Sequence, residues 1–110
     1  MGIKDFFSAL RNVPSVTELS RQVAQRSYSL VRESVGLHVL AYTRAEARGY
    51  VRAKAGSVIR AEVKYLAGRH PSLSAAMLAL VFNQASDRVL QSVIADLNRE
   101  RARRSLPRAA

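Results

Sequence analysis

No cysteine occurs in this chain. Disulfides and thiol chemistry are excluded, and no redox compartment can be read from cysteine usage. Tryptophan is absent too, and there are only three Phe. Seventeen of the apolar residues are Ala, so the 48% hydrophobic content overstates what is available for a core. At 110 residues the chain fits one domain. Its core must be thin and aliphatic, and a partner that buries more surface would help it. Long apolar runs are also missing. The longest, residues 75–82, falls far short of the ~20 residues that span a bilayer.

The recognisable chemistry of enzymes is missing as well. There is no GxGxxG or GxxxxGK[ST] phosphate loop and no GxSxG elbow. His38 and His70 have no second ligand three or four residues away, so no metal site is expected. The acids are scattered, and Asp87 and Asp96 are too far apart to work as a close carboxylate pair. The expectation is a non-enzymatic protein with no cofactor and no small-molecule substrate.

No secretory apolar region follows the start. The chain begins Met-Gly, but Phe6 stands where a myristoylation signal needs Ser or Thr. Lys4 and Arg11 hint at a mitochondrial presequence, and Asp5 and Glu18 argue against one. The expected setting is intracellular and non-secreted, in cytoplasm or an organelle matrix, without a transmembrane helix.

Negative charge is the other shortage: 8 acidic residues face 18 basic ones, for a net charge of +10. Such an excess favours an anionic partner, whether nucleic acid, acidic protein or anionic lipid. The charge is uneven. Residues 37–69 carry seven basic and two acidic residues, and residues 99–110 carry five and one.

What is present is helical periodicity, and no strand pattern occurs. Ile3, Phe6, Phe7 and Leu10 make one face of a short helix over 3–12, closed by Pro14. That face either folds back on the core or docks on a partner or a membrane surface. Ser15-Val16-Thr17-Glu18 reads as a capping box opening a helix over 16–35, with Gly36 as its stop. A long helix is expected over 37–67, ended by Gly68 and Pro71, with Gly49 and Gly56 as places to bend. The segment 72–103 is either one helix or two, broken near 84–87 where Ser86 could cap. A basic tail, 104–110, follows. The predicted fold is all-α: a short N-terminal amphipathic helix plus three or four longer ones, in an elongated bundle with a projecting central helix.

Within the long segment Arg44, Arg48, Arg52, Arg60 and Lys64 fall at four-residue steps, with Gly56 at the vacant one. Glu46 and Glu62 are not placed to neutralise them along the helix. Like charges at i, i+4 each cost a few tenths of a kcal/mol, so anions from elsewhere are expected to meet them. A four-residue step advances about 400°, so the ladder drifts ~40° each time. The expectation is a spiral that one partner wraps or whose halves, Arg44–Arg52 and Arg60–Lys64, face different partners, with Tyr42, Tyr50 and Tyr65 interleaved. The four-residue steps are not expected to extend into the neighbouring helices. Arg99, Arg101, Arg103 and Arg104 are further candidate anion contacts, although Glu100 can pair with Arg103 and Arg104. Ala41, Ala45, Gly49 and Ala53 form a small-residue series suited to close helix contact.

The reading that joins these features is a small accessory subunit of a larger assembly. It would dock through Ile3, Phe6, Phe7, Leu10 and the small-residue series, while its arginines meet anionic neighbours. A nucleic-acid-binding protein and a peripheral membrane-surface protein are the alternatives.

Overall fold

The computed structural model describes residues 15–105. Both the expected helix over 3–12 and the end of the basic tail lie outside the described residues. Among the described residues the fold is all-helical: α1 (Val16–Val35), a short 3-10 turn (His38–Ala41), α2 (Arg44–Arg69) and α3 (Ala75–Ser105). Each long helix packs against the other two. No described helix is long and apolar enough to cross a membrane.

Side-chain hydrogen bonds open each helix. The Ser15 hydroxyl accepts the Glu18 N–H at 3.1 Å. Glu18 does not complete a capping box; its carboxylate turns to Arg21 and to Gln22 instead. At α2 the box is complete. Thr43 Oγ1 accepts the Glu46 N–H, and Glu46 Oε1 accepts the Thr43 N–H, each at 3.2 Å. Ser74 Oγ accepts the Met77 N–H at 3.1 Å, one turn into α3.

The second helix therefore begins at Arg44, not Leu37. Gly36 ends α1 at φ 66°, a conformation that suits glycine. A Cβ there would also sit 3.2 Å from His38 Nδ1. The following residues form the 3-10 turn, which sinks Val39 fully into the core. Nor does α2 project from the bundle. It is buried from Ala47, in its first turn, through Ile59, and Leu66 packs on the core near its end. It runs unbroken through Gly49 and Gly56. The third helix is likewise single. Residues 75–105 contain no Gly or Pro, and the polar stretch 83–88 turns outward around buried Ala85.

The core has an unusual period. Leu19, Val23, Ser27, Val31 and Val35 are all buried on α1, at four-residue steps. Ala47, Val51, Ala55 and Ile59 repeat this on α2, and Val81, Ala85, Val89, Val93 and Leu97 on α3. The four-residue step of the long segment is thus shared by its neighbours, contrary to the expectation from sequence. Rows of this kind are the i±4 ridges, which drift around a straight helix. They stay in contact when helices cross in the right-handed sense. Valine and alanine dominate these rows, and among the described residues no aromatic ring is fully buried.

Candidate polyanion-binding surface

On α2 the basic ladder and the core row advance together. Core positions 47, 51, 55, 59 and half-buried 63 are each followed, one residue later, by Arg48, Arg52, Gly56, Arg60 and Lys64. One residue is a turn of about 100°. The ladder keeps that offset because the core row drifts at the same rate. What looks like a spiral on an isolated helix is therefore a single flank of the bundle, and the expected division into two faces does not hold.

That flank borders α3. Arg44 and Arg48 line a cleft of about 220 Å³ with Ile94, Leu97, Asn98 and Arg101. Arg52 lines a second, of about 260 Å³, with Phe82, Asn83, Ser86 and Asp87. The Arg60 guanidinium lies 5.8 Å from the centre of the Phe82 ring. All five basic residues are exposed. None forms an ion pair among the described residues. The two acids of α2 are directed elsewhere. Glu46 is engaged in the cap, and Glu62 lines the α1–α2 cleft.

The next row outward is Ala45, Gly49, Ala53, Ser57 and Ala61, all exposed, and it ends at the exposed Tyr65. A Cβ built on Gly49 meets nothing within 4 Å. No helix of the bundle uses this series, and Ala41 falls in the 3-10 turn outside α2. The strip is thus a line of guanidiniums beside a line of very small side chains.

The arginines at the end of α3 have partners within the chain. Arg99 pairs with Asp96. Arg103 and Arg104 both reach Glu100, the former at 2.5 Å and the latter at 3.1 Å. Their donated hydrogen bonds hold the Glu100 carboxyl below its usual range. The same bond raises the Arg103 pKa. Arg101 donates to the backbone carbonyls of Tyr42 and Val39, at 3.3 and 3.5 Å, and so ties α3 to the 3-10 turn.

The tyrosines do not interleave with the strip. His38, Tyr42 and Tyr50 meet edge to face, with ring centres 5.2–5.9 Å apart. Lys54 lies over Tyr50. Tyr65 sits in the α1–α2 cleft with Arg26 and Arg69 each within 6 Å of its ring centre, at 5.6 and 5.8 Å. A cleft of about 670 Å³ between α1 and α3 has Ala24, Tyr28, Val89 and Ala95 in its lining and Arg21, Arg88 and Arg99 around them. No periodicity marks it in the sequence, because it is assembled from two helices more than fifty residues apart. Comparison with protein-family models, with curated proteins and with solved structures finds no match for this chain.

Proposed function

We propose that this chain is a non-enzymatic binding component of a larger assembly, and that its working surface is the α2 strip of Arg44, Arg48, Arg52, Arg60 and Lys64. The observation that carries the reading is their lack of carboxylate partners, among the described residues, along one continuous flank. On an ordinary solvated helix, basic residues alternate with acids at i±4 and gain from the pairing. Here the helix keeps like charges next to one another, a cost that a bound anionic neighbour would offset. The terminal arginines are a secondary contact at most in this scheme, since Asp96 and Glu100 already neutralise part of their charge.

Retention on heparin tests the reading. R44Q/R48Q/R52Q should elute at much lower salt than the parent protein, and R99Q/R103Q/R104Q close to it. Equal retention of the first variant and the parent would refute the assignment. So would a collapse of retention confined to the second.

A further inference from the structure

Resting on that reading, we infer that the strip is built for the phosphate backbone of a duplex nucleic acid. The first argument is what the surface lacks. Protein interfaces hold through aromatic or aliphatic anchors seated in pockets. Over residues 44–61 the strip and its outer row offer only Arg, Ala, Gly and Ser, and Lys64 with the exposed Tyr65 ends the two rows. The other exposed large apolar residues lie elsewhere: Leu30 on α1, Leu37 after it, and Leu80 near the start of α3. An acidic protein would find charge here, while the apolar side chains of the bordering clefts, Ile94, Leu97, Phe82 and Leu90, are buried or half-buried. A phosphate backbone needs only charge and donors, and guanidinium offers both in a planar fork that fits phosphate oxygens.

The second argument is geometry. Successive basic residues are about 6 Å apart along α2, except across Gly56 where the gap is about 12 Å, and Arg44 to Lys64 covers about 30 Å. That is close to one turn of duplex, roughly 34–36 Å. Up to Ala61 the outer row of Ala45, Gly49, Ala53, Ser57 and Ala61 has no bulky side chain to hold a backbone away from the helix. The third argument separates duplex from single strand. Proteins that hold single strands stack bases on aromatic rings. Tyr42 and Tyr50 lie in another cluster, Tyr65 is taken up between Arg26 and Arg69, and Phe82, at the border with α3, is half-buried beside Arg60.

The test is fluorescence anisotropy of the full chain with two unrelated 20-base-pair duplexes, polyglutamate, and phosphatidylserine vesicles. Five phosphate contacts give a slope of log K against log salt of about −4.5, a loss of about 500-fold between 50 and 200 mM. In R44Q/R48Q/R52Q the slope should fall to about −1.8. Both duplexes should bind equally, and more tightly than polyglutamate or vesicles. Circular dichroism of the variant controls for folding. Polyglutamate or vesicles binding as tightly as duplex would overturn the phosphate assignment and leave the strip as an anionic docking face. Failure of every polyanion to bind at 50 mM salt would overturn both.

Discussion

Ser27 sits in the middle of the α1 core row between Val23 and Val31, fully buried, and its hydroxyl has no hydrogen-bond partner. Two other serines of α1 bond back one turn, Ser20 to Val16 O and Ser34 to Leu30 O, whereas Ser86 on α3 shares the unpaired state. An unpaired buried hydroxyl is costly, and Ala is also the better helix former. Ser27→Ala is expected to stabilise the protein by about 1 kcal/mol, read as a higher urea midpoint. A midpoint that falls would mean that the hydroxyl has a partner in solution. Glu100 is a residue-scale case with a pH signature. Its carboxyl titrates lower in the folded chain than in the unfolded one, because Arg103 and Arg104 donate to it. Its contribution is therefore present at neutral pH and is lost as pH falls through that lowered value. NMR chemical shifts of residues 101–105 should show helix loss in acid. In Glu100→Gln this acid step should be missing.

The helix elements were legible in unequal measure. The start of α1 could be read because Ser15 and Glu18 flank an apolar period. The start of α2 carries the same signal in Thr43-Arg44-Ala45-Glu46, a capping box that rules out a helix beginning at Leu37. Gly36 points the same way, since its positive φ breaks the path. Thr43 is where the box can be tested. Thr43→Ala is expected to cost about 1 kcal/mol, measured by thermal melting. No change would indicate that the 3-10 turn, not the cap, fixes where α2 begins. The polar run Asn83–Arg88 suggested a break in α3 because local composition was weighed above spacing. Val81, Ala85 and Val89 already kept the four-residue row through it. That row could be counted in the sequence on all three helices. Its physical consequence could not be read there, because the drift of a stripe acquires meaning only when the neighbouring helices drift with it.

For the whole molecule this shared drift is what turns a spiral of basic residues into one flank. The unpaired arginines were visible in the chain. Their common side, their border with α3, and the removal of the tyrosines to other clefts depend on how the helices cross. A bundle with a thin valine and alanine core can present such a flank because no strip residue is needed inside it. Gly56 gives the account a gain-of-function prediction. A Cβ there meets nothing within 4 Å, and Gly costs a helix interior about 1 kcal/mol relative to Ala. Gly56→Arg should therefore raise stability slightly and complete the ladder, steepening the salt dependence of polyanion binding by about 0.9. Unchanged binding would remove Gly56 from the strip. The most direct test of the single flank is an amide chemical-shift map on adding a short polyanion, heparin hexasaccharide or a duplex. Residues 44–64 should shift along their whole length on the strip and outer rows, with Tyr50, Lys54 and the α1–α3 cleft unmoved. Shifts confined to one half of the ladder, or centred on Arg99–Arg104, would contradict it.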